Sequence, residues 1–246
     1  MARRVRSPLR AGSAVGLASF ALFGSASCSQ PTPNGQNLVA DLPPGTWTDG
    51  AAVGDLLVVF AGGGKVVTGS TVETPLLLEP GVTQAPESTV AALVVSDQDF
   101  ADECLTVTAR VVTLAQLRTG SDPNPWEVAW LVWDYTDNEH FTYVTVKANG
   151  WELGKRDPAY PGGQRFLATG PEPIVQPGQW SSWTIVRQVR PDGSTHMTFH
   201  VDGQLVAEAP DEERPLTVGR VGLYSEDARI AASDLTAGGC PSGDNA

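Results

Sequence analysis

Histidine and cysteine are scarce, with three of each in 246 residues, and the scarcity narrows the chemistry. No cluster among them is spaced to ligate zinc. The chain also lacks a nucleotide-binding glycine motif and a serine-hydrolase elbow. Basic residues are the other shortage: 16 Lys and Arg stand against 28 Asp and Glu, a formal charge of −12. An acidic surface repels nucleic acid and anionic lipid, so neither is an expected partner. There is no internal repeat, and no Pro/Gly/Ser linker divides the chain.

Four of the few basic residues open the chain. Arg3, Arg4, Arg6 and Arg10 precede an acid-free run of apolar and small residues over 11–26, the pattern of an export signal. The run is too short for a permanent membrane span. Residues 1–27 are read as a signal peptide, 28–40 as a flexible tether, 41–240 as one folded domain and 241–246 as a tail. Beyond the signal, 12 bases face 28 acids and the formal charge is −16. About 200 residues suit one large all-β domain.

The expected location is secreted or cell-envelope. Cys28 stands at the signal boundary after Ala26 and Ser27, where it is a candidate lipid anchor. Ser25, at a position that usually wants an aliphatic residue, leaves ordinary cleavage near Ala26 as the alternative. Membrane association is expected only through that lipid. Cys104 and Cys240 lie near opposite ends of the folded region, and an exported protein can hold them as a disulfide.

Helical periodicity is rare, whereas short β-rich runs separated by turn formers recur along the chain, which predicts a sandwich or barrel. In Leu105, Val107, Ala109 and Val111 the apolar set is opposed by Thr106, Thr108 and Arg110, so that strand has one core face. Met197, Phe199 and Val201 alternate in the same way with His196, Thr198 and His200. The two histidines therefore read as strand residues on a wetter face rather than metal ligands.

The segment 126–135 runs into the turn 136–139, and 140–147 returns. A symmetric turn pairs Tyr135 with His140, Asp134 with Phe141, Val132 with Tyr143, Trp130 with Thr145 and Val128 with Lys147, and paired residues share a face. One face then carries Trp133, Leu131, Ala129, Val144 and Val146, a core set. The other carries Trp126, Trp130, Asp134, Phe141, Tyr143 and Lys147. Aromatics beside an acid and a base suit sugar, because pyranose C–H faces stack on rings while hydroxyls need charged or amide partners; the alternative is that these aromatics are the core of a second layer or are covered by the loop that follows.

A one-residue slip would exchange these faces and bring Glu127, Trp133 and Tyr135 outward. Glu127 is either a catalytic carboxylate or a buried acid paired with Arg or Lys. Residues 149–166, including Trp151, Glu152 and Tyr160, are read as a long loop, either one wall of a cleft or a packed surface loop.

The run from Trp130 to Tyr143, the strand over 180–186, His200-Val-Asp-Gly-Gln-Leu and Gly219-Arg-Val-Gly-Leu-Tyr together resemble the concanavalin A-like lectin/glucanase superfamily. The nearest patterns are laminin-G-like domains and the family-16-glycosidase-like domains labelled 3-keto-disaccharide hydrolase. The likeness covers about residues 47–236 and implies an all-β, two-sheet antiparallel jelly-roll sandwich. It also implies that the strands ending in Cys104 and Cys240 lie together, so that the pair is bonded.

Function is less determined, because such folds host lectins, carbohydrate-binding modules, glycosidases and lyases. The glycosidase pattern Glu-x-Asp-x-x-Glu is absent, since after Glu127 the matching positions are Ala129 and Val132. The favoured expectation is binding of an oligo- or polysaccharide by Trp126, Trp130, Asp134, Tyr143, Lys147 and Trp151. A hydrolase would need two carboxylates about 5 to 10 Å apart, from Glu127, Asp134 and Glu152. A lyase would use Tyr143 or His140, with Lys147, Lys155 or Arg165 neutralising a uronate. A structural envelope domain is the third reading. No metal or cofactor is expected; Asp137 and Glu139 could join backbone carbonyls around Ca²⁺, but they suit a solvated turn better.

Overall fold

The computed structural model describes residues 35–241 apart from Val72, Gln84, Pro86 and Glu87. The expected signal peptide, Cys28 and residues 242–246 lie outside the described residues. Among the described residues seventeen strands, numbered in chain order, form two sheets with antiparallel neighbours. One sheet runs β15 (Gln204–Asp211), β14 (Thr195–Val201), β13 (Ser181–Val189), β8 (Cys104–Gln116), β17 (Ala228–Gly239), β6 (Leu76–Glu79), β5 (Lys65–Thr68), β2 (Gly45–Trp47). A short β1 (Gln36–Asn37) pairs with β17. The other runs β12 (Gln164–Gly170), β11 (Gly150–Arg156), β10 (His140–Lys147), β9 (Ala129–Asp137), β16 (Arg220–Glu226), β7 (Ala91–Ser96), β4 (Leu56–Phe60), β3 (Ala52–Val53).

The alternating apolar residues build the layer between the sheets. Leu105, Val107, Ala109 and Val111 of β8 meet Ala129, Leu131 and Trp133 of β9 and Val144 and Val146 of β10 in one buried cluster. Met197, Phe199 and Val201 of β14 join it. Each of the leucine, valine, methionine and phenylalanine side chains contributes about 1.5–3 kcal/mol when fully buried, the alanines less. Cys104 and Cys240 are bonded with Cα atoms 5.4 Å apart, because β8 and β17 are neighbours and Leu105 pairs with Gly239.

Two expectations are corrected. The sandwich takes in residues assigned to the tether: Leu38 and Val39 are buried in the core after β1 has paired with β17. An adjacent apolar pair anchors that end of the chain better than it solvates. Residues 149–166 are not a long loop. They hold β11, the 3₁₀ turn Pro161–Gly163 and the start of β12, with β10 and β11 joined tightly at Lys147↔Gly150. The Asn149-Gly150 dipeptide is the turn signal for that hairpin, and Gly150 adopts a φ of 123° there.

Candidate functional site

The second sheet carries a further apolar layer on its outward face. Trp130 pairs with Thr145 on one side and Tyr224 on the other, and Val132 with Tyr143, so alternation places Trp130, Val132, Tyr143 and Tyr224 opposite Leu131 and Trp133. Leu93, Val95, Val128, Trp130, Val132 and Tyr143, with Tyr135 and Phe141, form a buried cluster distinct from the core. The Trp130 ring lies 4.6 Å from that of Tyr143 and 5.4 Å, edge-on, from that of Tyr224. Both are favourable aromatic geometries.

Over this layer opens a cleft of about 630 Å³. Leu93, Trp130, Phe141 and Tyr224 supply apolar lining, and Phe60, Trp126 and Phe166 add to it. Trp126 and Phe166 are 42% and 53% exposed, whereas Trp130 is 6% exposed. Asn138, Glu152, Arg156, Gln164 and Glu226 bring amide and charged groups to the same space.

The segment carrying Trp126 is pinned from below. Arg118 Nε donates to Glu127 Oε1 at 2.5 Å and Arg118 Nη2 to Asp227 Oδ2 at 2.7 Å, all three side chains being buried. Asn124 Nδ2 donates to the same Glu127 oxygen at 2.8 Å, and Trp130 Nε1 donates to the Trp126 carbonyl at 2.9 Å. Glu127 is therefore the buried, paired acid and does not line the cleft.

Asp134 is the largest correction. Pairing follows the expected register from Trp130 to Trp133, but Asp137 then pairs with His140 while Trp133 pairs with Thr142. Four steps along β9 are spanned by two along β10, a bulge at which Asp134 takes a φ of 50°. Gly219 makes room for it: a Cβ there would lie 2.4 Å from the Asp134 carbonyl carbon. The bulge turns Asp134 inward, fully buried, onto Arg187 Nη2 at 2.9 Å. Burial pushes the Asp134 carboxyl up to about 6, although Arg187 pulls it back. Tyr135 takes the outward place beside Phe141.

The remaining expected residues divide. Trp126 and Trp130 line the cleft, as does Glu152. Tyr143 lies on the same face but fully buried, accepting a hydrogen bond from Gln164 Nε2. Gly154 permits this, since a Cβ there would come 2.6 Å from the Tyr143 hydroxyl. Lys147 is buried against Glu152, which it pairs.

Trp151 is corrected: it belongs to the inter-sheet core, edge-on to Phe199 at 6.1 Å, because β11 is a strand and alternation points it inward. Lys155 is buried on Asp211, and Arg165 pairs with Glu213, so neither lines the cleft. The Asp137 carboxylate engages the Glu139 N–H and the His140 ring. No group of three or more His, Cys, Asp or Glu among the described residues is placed to hold a metal ion.

Sequence reasoning missed Phe60, Arg156, Gln164, Phe166, Tyr224 and Glu226. Tyr224 and Glu226 occupy alternate positions of β16 and share a face; Tyr224 donates its hydroxyl to Glu226 Oε1. Burial raises the Glu226 carboxyl above its ordinary value, against the lowering effects of the Tyr224 hydroxyl and of Arg156. Burial likewise drives the Tyr224 phenol well up. The cleft thus offers acceptors, donors and stacking surfaces within one concavity.

No protein-family model matches the sequence, and no match among curated proteins is found. Among solved structures, carbohydrate binding module CBM66 from Bacillus subtilis is 15% identical, with 75% of this chain covering 95% of that one at a TM-score of 0.53. A Bacillus subtilis protein of unknown function with a galectin-like fold is 13% identical, with coverages of 67% and 82% and a TM-score of 0.48. An endo-β-1,4-glucuronan lyase from the fungus Trichoderma reesei is 12% identical, with coverages of 78% and 90% and a TM-score of 0.47. The fold is a two-sheet antiparallel jelly-roll sandwich, shared with that carbohydrate binding module.

Proposed function

We propose that the domain binds an oligo- or polysaccharide in the cleft on the outer face of β12-β11-β10-β9-β16-β7-β4. The observation that carries this reading is the combination in one cleft of aromatic surfaces (Trp126, Trp130, Phe166, Tyr224) with Asn138, Gln164, Arg156, Glu152 and Glu226. Aromatic rings stack on sugar C–H faces, while the polar set meets hydroxyls with both donors and acceptors. The fold shared with a carbohydrate binding module supports it. Titration against a glycan panel tests it: Trp126→Ala and Phe166→Ala weaken a ligand of the wild-type chain without lowering its melting temperature. A panel with no ligand at all removes the reading.

We place the domain outside the cell, on the strength of the Arg-flanked apolar run over 11–26 and a disulfide suited to an oxidising compartment. Lipid at Cys28 would hold it to the envelope. Cys28→Ala then releases the protein to the medium, and unchanged fractionation excludes that anchor.

A second reading is favoured by one observation: two carboxyl groups, Glu152 and Glu226, line the same cleft as Trp130. A glycosidase needs such a pair flanking the scissile bond, one of them held protonated. Burial raising Glu226 suits the acid role. Product release from a bound polysaccharide that stops in Glu226→Gln supports hydrolysis; binding without products leaves the domain a binding module.

A further inference from the structure

The charged groups of the cleft differ in what they already hold. Glu152 is paired with Lys147, and Glu226 accepts the Tyr224 hydroxyl. Arg156 lines the same cleft, half-buried, yet among the described residues it makes neither an ion pair nor a side-chain hydrogen bond. The other arginines and lysines near this end of the sheet are engaged: Lys155 with Asp211, Arg165 with Glu213 and Arg214 with Asp157.

The head of Arg156 lies over Gly163, where an added Cβ would come 3.5 Å from Nη2 and where a φ of 67° favours glycine. Gln164, its partner across β11 and β12, turns its amide to Tyr143 instead. The Arg156 charge nevertheless reaches the cleft, where it lowers the otherwise raised values of Tyr143, Tyr224 and Glu226.

A partly desolvated guanidinium with a free fork is a receptor for a planar carboxylate, which it binds by two parallel N–H···O bonds. The two acids of the cleft oppose this weakly: Lys147 offsets Glu152, and burial pushes Glu226 towards its neutral form. A wholly neutral sugar would leave the guanidinium without its best partner.

We infer that Arg156 receives the carboxylate of a uronic-acid residue, so that the ligand of the cleft is an acidic oligosaccharide. This rests on the glycan-binding reading above and adds the chemical class of the ligand.

The test is calorimetric titration of the wild-type chain with oligouronates and with the same oligosaccharides after carboxyl reduction, together with a neutral glycan panel. Arg156→Gln and Arg156→Lys are run beside it, with melting temperatures to confirm folding. The oligouronate that binds should do so about 10- to 100-fold more tightly than its reduced counterpart, the range of a charge-assisted bidentate contact. Arg156→Gln erases that difference by weakening only the acidic ligand, and Arg156→Lys restores part of it. Equal binding of acidic and reduced ligands, or an equal loss of both in Arg156→Gln, overturns the assignment and leaves glycan binding standing. Binding of neutral glycans alone does the same. Absence of any ligand across all three sets overturns both.

Discussion

Trp130 and Trp133 sit three residues apart on one strand, and both are buried, yet they belong to different layers. Trp133 fills the space between the sheets, fully enclosed, with an indole N–H that has no partner among the described residues. Trp130 lies in the outward layer, its N–H bonded to the Trp126 carbonyl and one edge opening on the cleft. Burial alone therefore does not separate a tryptophan of the core from one that lines the cleft. What separates them is whether the covering layer belongs to the fold or leaves room for something else.

Replacement by alanine should break the equivalence. Trp133→Ala opens a void between two sheets that cannot collapse onto it, costing about 3–5 kcal/mol in urea unfolding. For a domain of this size that is a fall in melting temperature on the order of 10 °C. Binding per folded molecule stays unchanged. A Trp133→Ala chain as stable as the wild type would remove Trp133 from the core.

The bulge gives the next largest effect, and it depends on pH. Asp134 is pushed up to about 6 by burial, against an ordinary 3.8. Between those values the folded chain holds a proton that the unfolded chain has lost. The contribution of Asp134 to stability is therefore greatest below pH 4, declines as pH rises to 6, and is level above. Two pK units correspond to about 3 kcal/mol. Asp134→Asn lacks this slope, so wild type minus variant should be larger at pH 4.5 than at pH 6.5; a constant difference counts against the proton.

Trp130→Ala is smaller in stability and larger in function. The side chain is not wholly enclosed and the cleft is already hollow, so about 2 kcal/mol is expected in unfolding. Loss of the stacking surface should also weaken any glycan by about 1–3 kcal/mol. Unfolding and titration respond together here, whereas Trp133→Ala moves only the first.

The contrast also marks how far local sequence pattern reaches. Alternation separated Leu131 and Trp133 from Trp130 and Tyr143, because a strand with one core face repeats every two residues. It misplaced Asp134, since a bulge adds residues to one strand only and reverses the faces beyond it. An aspartate tolerates the left-handed φ required there and left no glycine to mark it. Trp151 is misplaced because nothing in 150–156 signals the strand that β11 forms there. Glu152 and Glu226 are 74 positions apart in the chain. They share a cleft only because β16 inserts beside β9 in the strand order, a non-local pairing that no short pattern carries.

The smallest effect is the sharpest test of the outer layer. Phe166 is 53% exposed on β12 and lines the cleft. An exposed side chain contributes little to folding, so Phe166→Ala should shift stability by less than about 0.5 kcal/mol. If a sugar ring stacks on it, removal should weaken that ligand by about 1 kcal/mol, roughly fivefold. The effect should appear only with oligosaccharides long enough to reach β12 while occupying Trp130, and vanish with a monosaccharide. Loss of the monosaccharide as well would place the primary contact at Phe166, and no loss with any length would confine recognition to the Trp130 end of the cleft.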